Sequence, residues 1–142
     1  MVVDRLYLDT HIWIDYWLNR RSGLNPIGDF ASRLISETIA CKYKIFISEV
    51  VCNELESLRL SEPIVLKQLF APLIAVNKLR QVPLILKQKQ EARRISFERN
   101  IPYGDALHAI LSRDNEAILI SRDKHHTLTE DIVHSAKPED LI

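Results

Sequence analysis

The stretch AILIS at residues 117–121 decides the fold class of this 142-residue chain. Its continuous apolar run is typical of a strand that is buried on both faces, as the strands of a parallel sheet are. Two comparable runs lie upstream, RLYLD at residues 5–9 and YKIFIS at residues 43–48. Because these three runs alternate with segments of helical periodicity, the sequence predicts an α/β fold with a parallel sheet.

Apolar residues at helical spacing predict helices between the strands. The first helix follows the first strand directly, with Thr10 as its N-cap. Ser48 opens the helix after the second strand, and Pro63 either ends that helix or begins the next one. The predicted helices cover residues 10–19, 25–43, 48–60, 63–77, 86–100 and 101–117.

Two short runs are less regular. VPLIL at residues 82–86 fits either a short strand or the start of a helix, and DIVH at residues 131–134 fits a final short strand. The chain has no internal repeat, low-complexity stretch or linker, so the sequence predicts one domain over residues 1–142.

Composition excludes several classes of protein. Hydrophobic residues make up 46% and charged residues 27%, as in ordinary globular proteins. Three glycines are too few and too far apart for a Walker A or G-x-G-x-x-G loop, and two cysteines are too few for a disulfide scaffold. The N-terminus lacks the pattern of a signal peptide, and no apolar run reaches about 18 residues. We therefore expect a cytoplasmic protein that does not enter a membrane.

Charge is distributed unevenly along the chain. The chain has 19 Lys plus Arg and 19 Asp plus Glu, so it cannot bind nucleic acid by overall charge. Residues 77–126, however, have ten basic and six acidic residues, a net charge of +4. These cations either belong to solvated helix faces or form a basic rim that contacts RNA phosphates. The candidates for such a rim are Arg93, Arg94, Arg99, Arg122 and Lys124.

Acidic residues follow two of the predicted strands. Asp9 ends the first strand, and Asp123 follows the strand that ends at Ser121. In an open parallel sheet, ligands bind outside the carboxyl ends of the strands. Each Asp alone fits a helix cap or a turn, but the two occupy equivalent positions at the same edge. This coincidence favours a functional site.

Two further carboxylates lie on predicted helices. At about 100° per residue, Glu54 falls inside the apolar stripe of helix 48–60. A carboxylate there needs a partner, which is either an arginine or a metal ion. Asp105 lies in the first turn of a helix, where the helix dipole alone could explain it, and His108 shares its face.

Convergence of four carboxylates would require a cation. Two carboxylates about 4 Å apart repel each other by about 4 kcal/mol at an effective dielectric constant near 20. A divalent cation removes this repulsion, and ligands that are all oxygen suit Mg²⁺ or Mn²⁺. Such a centre can activate water for displacement at phosphorus.

Three ordered blocks resemble the signature of PIN-domain nucleases, which include the toxins of VapBC-type toxin–antitoxin pairs. The blocks are YLDTHIWID, ISEVVCNEL and YGDALHAILSRDNEAILISRDKHH, and they span nearly the whole chain. The resemblance implies a three-layer α/β sandwich with a central parallel five-stranded sheet. It also implies a Mg²⁺- or Mn²⁺-dependent endoribonuclease. The net charge of +4 in residues 77–126 adds the expectation that its substrate is single-stranded RNA.

The same resemblance implies roles for individual residues. The four family acids match Asp9, Glu54, Asp105 and Asp123, which become the expected catalytic and metal-binding residues, and Thr10 and Ser121 hold supporting positions. Where family members often have Phe after the fourth acid, this chain has a pair of histidines, His125 and His126. The resemblance fits either a toxin or a housekeeping RNA-processing enzyme. Toxins of this type commonly form homodimers and pair with an antitoxin protein, and we expect both if this chain is a toxin.

Other functions are less consistent with the sequence. A phospho-receiver domain needs paired acids after its first strand and a late Lys, whereas Asp9 precedes Thr10 and the late strand leads to Asp123. A haloacid-dehalogenase-type phosphatase needs Asp-x-Asp, and residue 11 is His. A catalytically silent PIN-like or receiver-like module that binds a partner remains the alternative, although all four acids are present. A neighbouring reading frame for a small DNA-binding protein would favour a toxin.

Overall fold

The computed structural model describes residues 4–40, 42–58 and 63–142, with only the backbone described at residues 63–66. Within these ranges the chain forms five strands and six α-helices. The strands are β1 (Arg5–Leu8), β2 (Lys44–Ile47), β3 (Leu79–Gln81), β4 (Ile118–Ile120) and β5 (Ser135–Ala136). The helices are α1 (Thr10–Leu18), α2 (Ile27–Ile39), α3 (Glu49–Ser57), α4 (Pro63–Ala75), α5 (Leu86–Arg99) and α6 (Tyr103–Asp114).

All five strands pair in parallel, in the order β3-β2-β1-β4-β5. The predicted parallel α/β fold with five strands is therefore confirmed. Leu6, Tyr7 and Leu8 of the central strand β1 are fully buried, as expected for a strand covered on both faces. The chain adds β2 and β3 on one side of β1, and then β4 and β5 on the other side. The strand order therefore reverses between β1 and β4. The carboxyl ends of these two strands are where ligands bind in such sheets.

Helices pack on the sheet in two groups that α3 connects. Helix α1 contacts α2 and α3, while α5 packs along α6, which itself contacts α3 and β1. Trp13 of α1 is fully buried and meets Phe70 of α4 edge-on, with 4.9 Å between ring centroids. Among the described residues, no helix combines the length and the apolar character that a membrane crossing requires.

Of the two less regular runs, residues 82–86 lead into α5, which begins at Leu86, and the predicted last strand is displaced along the chain. The third strand is Leu79–Gln81 and not part of residues 82–86, because Pro83 has no N–H with which to extend the pairing beyond Val82. The last strand begins at Ser135 and not at residue 131, because Ile132 and Val133 are held in a turn by hydrogen bonds to the Thr129 carbonyl. The predicted end of helix 48–60 lies outside the described residues from residue 59 onward.

Gly28 allows α2 to start against the end of α1. Its N–H donates to the Arg20 carbonyl at 2.8 Å, and a Cβ at this position would lie 2.6 Å from the backbone of Asn19 and Arg20. We therefore expect Gly28→Ala to lower the free energy of unfolding by about 1–3 kcal/mol, as overpacking does. Urea unfolding monitored by circular dichroism measures this. Ser36→Ala, at an exposed position of the same helix, is the control, and equal stabilities of the two variants would contradict the expectation.

Candidate metal centre

The candidate site begins where β1 and β4 end side by side. The Asp9 N–H donates to the Ile120 carbonyl at 3.0 Å, which continues the pairing of the two strands by one residue. Asp9 and the segment after β4 therefore meet at the carboxyl edge of the sheet, between the two strands where the strand order reverses.

The Asp9 carboxylate accepts three hydrogen bonds in this corner. Its Oδ1 accepts hydrogen bonds from the N–H groups of His11 and Ile12, so Asp9 is the N-cap of α1, and the prediction of Thr10 as the cap is wrong. The cap position needs an extended backbone, which Asp9 keeps as the last residue of the strand. Its Oδ2 accepts a short hydrogen bond from the Ser121 hydroxyl. The hydroxyl of the buried Thr10 has no partner among the described residues.

Ser121 connects two of the acids. While its Oγ donates to Asp9, it also accepts from the Asp123 N–H at 3.0 Å. Asp123 in turn caps the 3₁₀ turn at Lys124–Thr129, where its Oδ1 accepts from the His125 N–H at 2.9 Å. The buried serine thus holds Asp9 and Asp123 in a defined relation.

Asp105 reaches the same place from the first turn of α6. One carboxylate oxygen of Asp105, one of Asp123 and a ring nitrogen of His125 all lie within 4.8 Å of one another. Burial, together with the charge of Asp123, raises the pKa of Asp105 to about 6. Burial alone would also raise the pKa of Asp123, but the hydrogen bond from the His125 backbone and the nearby histidines hold that pKa below its ordinary value.

Glu54 is held by a chain of buried groups. Its Oε1 lies 2.7 Å from His108 Nε2, and His108 Nδ1 lies 2.8 Å from the Tyr7 hydroxyl. That hydroxyl is 2.7 Å from Ser48 Oγ. Because a carboxylate only accepts, His108 Nε2 donates to Glu54, and the Tyr7 hydroxyl links His108 Nδ1 to Ser48. The partner that the apolar stripe requires for Glu54 is therefore a histidine.

Sequence reasoning missed part of this network. Ser48 occupies the N-cap position of α3, but its side chain makes no capping hydrogen bond and turns to Tyr7 instead. His108 is buried, although its place on a polar face was the simpler interpretation. Its position one turn after Asp105, facing the same site, was the available signal. Burial lowers the pKa of His126, whose Nε2 lies 3.9 Å from Asp9 Oδ2 and has no partner among the described residues.

Two clefts flank the acids. The larger, of about 520 Å³, begins at Glu54 and Gly104 and includes Lys89, Arg93 and Tyr103. The smaller, of about 210 Å³, begins at Asp123 and is lined by His11, Asp15, Arg20, Ile27 and Arg122. Both clefts thus contain cationic side chains next to the acids.

The structure places the five rim candidates differently. Three form ion pairs: Arg94 with Glu98, Arg99 with both carboxylate oxygens of Asp131, and Arg122 with both of Glu139. Arg93 and Lys124 make no ion pair within the described part of the chain. The Arg93 guanidinium instead lies 5.9 Å from the centre of the Tyr103 ring, on the wall of the larger cleft.

The side chains at this edge fit a divalent cation. Asp105, Asp123 and His125 present three ligand atoms to one point, and the unpartnered Nε2 of His126 faces the same corner. A buried polar atom without a hydrogen-bond partner is rare in proteins. The Nε2 of His126, which has no partner among the described residues, is therefore consistent with a bound ion at this corner.

The fold and this site together define the class of protein. It is a doubly wound parallel α/β protein whose acidic residues converge at the point where the strand order reverses. A family model described as "PIN domain" matches residues 6–131. The chain belongs to the PIN-domain family.

Two solved structures are similar to this fold. VapBC2 from Rickettsia felis, crystallised with a DNA fragment from its promoter, matches at 16% identity and a TM-score of 0.65, over 94% of this chain and 98% of that chain. PAE2754 from Pyrobaculum aerophilum matches at 14% identity and a TM-score of 0.54, over 99% and 95% of the two chains. No curated protein matches the sequence.

Proposed function

We propose that the protein is an endoribonuclease that depends on Mg²⁺ or Mn²⁺ and cleaves single-stranded RNA. PIN domains are generally nucleases that use divalent metals, and this chain belongs to their family. The observation that carries the proposal is the approach of Asp105, Asp123 and His125 within 4.8 Å, at the edge of the sheet where ligands bind.

Asp9, Glu54, Asp105 and Asp123 are the proposed metal-binding and catalytic residues. When bound, the metal would activate water and neutralise charge at the phosphate. The hydroxyl of Ser121 orients Asp9, and the imidazole of His108 orients Glu54. Thr10, buried beside Asp9 in the first turn of α1, supports the same corner.

The larger cleft supports an extended polyanionic substrate. An RNA strand that crosses the acids would continue into the larger cleft, where Lys89 and Arg93 can meet its phosphates. In the smaller cleft Arg122 is already paired with Glu139 and Arg20 with Asp15. Phosphate contacts provide most of the affinity for such a ligand, and aromatic rings such as Tyr103 stack on unpaired bases. A single strand offers both features at once.

A toxin role belongs to the same proposal. The structure of similar fold from Rickettsia felis is of VapBC2, which supports an antitoxin partner for this chain. The proposed homodimer rests on the resemblance to toxins of this type alone. Action in the cytoplasm follows from the proposed substrate, since cellular RNA is found there.

The direct test is cleavage of a mixed RNA pool by the purified protein. We expect cleavage with Mg²⁺ or Mn²⁺, none with EDTA, and at least a hundredfold slower cleavage by Asp9→Asn, because even residues that only orient a metal ligand contribute about 10–100-fold. Cleavage that persists in EDTA would contradict the metal centre. Absence of cleavage with every metal would favour a catalytically silent binding module.

Arg93 should be a phosphate contact, whereas Arg99 should not. Arg93 lines the larger cleft, while both terminal nitrogens of the Arg99 guanidinium already donate to Asp131. In Ca²⁺, chosen to fill the site without cleavage, Arg93→Ala should reduce the salt dependence of RNA binding by about 0.7 in log–log slope. Arg99→Ala is the matched control. Equal slopes for wild type and Arg93→Ala would rule out this contact.

A further inference from the structure

We propose that His125 is a nitrogen ligand of the metal that Asp105 and Asp123 hold, and that the centre therefore binds Mn²⁺ in preference to Mg²⁺. The inference rests on the proposed function and adds to it a ligand and a metal preference. Four carboxylates alone would form a centre of oxygen ligands, which is the environment that Mg²⁺ prefers.

The geometry around His125 matches neighbouring ligands of one ion. Its Nδ1 lies 3.0 Å from Asp105 Oδ2 and 2.9 Å from Asp123 Oδ1. Two ligands that are each about 2.1 Å from a cation and at right angles to each other lie about 3 Å apart. The side-chain atoms are therefore already at ligand spacing, and a cation would replace the hydrogen bond that Nδ1 makes with Asp105.

The backbone fixes the ring in this position. The His125 N–H donates to Asp123 Oδ1 at 2.9 Å, as part of the cap of the 3₁₀ turn at Lys124–Thr129. The same carboxylate thus binds the histidine backbone and approaches its ring. A ligand held this way needs little further ordering when the ion binds.

His126, the next residue, gives independent support for a bound ion at this corner. His126 is 2% exposed, and its Nε2 has no hydrogen-bond partner among the described residues. This nitrogen faces Asp9, with 3.9 Å between Nε2 and Oδ2. Buried polar atoms are almost always paired, so this corner is built around something beyond the protein's own atoms.

A nitrogen ligand changes which ion binds best. Imidazole favours first-row transition metals, and affinity for a given site of this kind rises from Mn²⁺ onward along the series. Mg²⁺ binds oxygen ligands and retains several waters. Mn²⁺ suits both the carboxylates and the histidine, and it is the ion used in the test.

The competing explanation is that His125 only pairs with the two carboxylates and leaves when an ion enters. Both explanations keep a metal centre, but only a ligand transfers electron spin density from Mn²⁺ to its nitrogen. Pulsed electron paramagnetic resonance of the Mn²⁺-loaded protein detects this ¹⁴N coupling. The measurement needs no variant and no turnover.

The experiment combines this spectrum with calorimetric titration of Mn²⁺ and Mg²⁺ into wild type and His125→Asn. The asparagine can offer an amide oxygen in place of the ring nitrogen. We expect ¹⁴N coupling in wild type and its loss in the variant. We also expect Mn²⁺ affinity to fall about 10–100-fold in the variant, and Mg²⁺ affinity to change by less than about threefold.

His134→Asn is the control, because His134 is an exposed histidine that pairs with Glu130. It should keep both the coupling and the affinity. Bound Mn²⁺ without ¹⁴N coupling would overturn the role of His125 and leave the proposed function standing. Coupling that survives in His125→Asn but disappears in His126→Asn would also overturn it. If neither ion binds wild type, the proposed metal-dependent function fails as well.

Discussion

Asp105→Asn should slow RNA cleavage by more than about a hundredfold and at the same time stabilise the metal-free protein. The variant loses a proposed metal ligand, and even residues that merely orient such ligands contribute about 10–100-fold. The gain in stability has a different origin: Asp105 is largely buried beside Asp123, and its ionisation is unfavourable without a cation.

The pKa of about 6 for Asp105 sets the pH dependence of this gain. The ordinary pKa of an aspartate is 3.8. Between about pH 4 and pH 6 the Asp105 carboxyl is therefore ionised in the unfolded chain but still protonated in the folded protein. The free energy of unfolding therefore falls as pH rises through this window and stays low above it. The rise in the pKa of Asp105 from 3.8 to about 6 corresponds to an upper limit of about 3 kcal/mol for the gain in the variant at pH 8.

Thermal unfolding in EDTA at pH 4 and pH 8, together with cleavage rates in Mn²⁺, measures both effects. We expect the melting temperature of Asp105→Asn to exceed that of wild type at pH 8, and the difference to shrink toward pH 4. Asp114→Asn is the control, because Asp114 ends the same helix and pairs with Arg113 away from the acids. It should cleave RNA at the wild-type rate. An Asp105→Asn protein that is inactive but less stable at pH 8 would indicate structural damage and contradict the electrostatic account.

Tyr7→Phe should have the second largest effect, a loss of about 2–4 kcal/mol in the free energy of unfolding. The Tyr7 hydroxyl bridges Ser48 and His108, and all three side chains are buried. Without it, both partners remain unpaired inside the protein, at about 1–3 kcal/mol for each group. The ring itself stays, so the core keeps its packing.

Activity should also fall, by about tenfold, because His108 loses the hydrogen bond that orients it toward Glu54. Urea unfolding and the cleavage rate at saturating RNA, measured where the variant is fully folded, check the two parts. Tyr43→Phe is the matched control, since the Tyr43 hydroxyl donates only to the Leu141 carbonyl, at 3.2 Å. If Tyr7→Phe were no less stable than Tyr43→Phe, the bridge would contribute nothing.

The sequence by itself determined the order of the elements and the acids at the strand ends. The apolar run at residues 117–121 predicted β4, and the two runs before it predicted β1 and β2. A strand that is buried on both faces must be apolar along its whole length, so its sequence identifies it. Asp9 and Asp123 could be placed at one edge from the same reasoning, since parallel strands end on the same side. The two short edge strands were harder to locate from the sequence. Residues 82–86 fitted a strand or a helix start, whereas β3 ends before Pro83, and the turn after Thr129 places β5 beyond the predicted residues 131–134.

Only the tertiary structure decided which partner each polar side chain has. Glu54 meets His108, and His108 meets Tyr7, across 54 and 101 residues of sequence, which no helical or strand period relates. Arg99 and Arg122 looked free in the sequence and are paired with Asp131 and Glu139 in the fold. The physical reason is that the two kinds of information differ in their separation along the chain. Burial patterns repeat among neighbouring residues and can be read from the sequence. A hydrogen bond or an ion pair depends on distances of a few ångströms, which are set only once distant segments pack together.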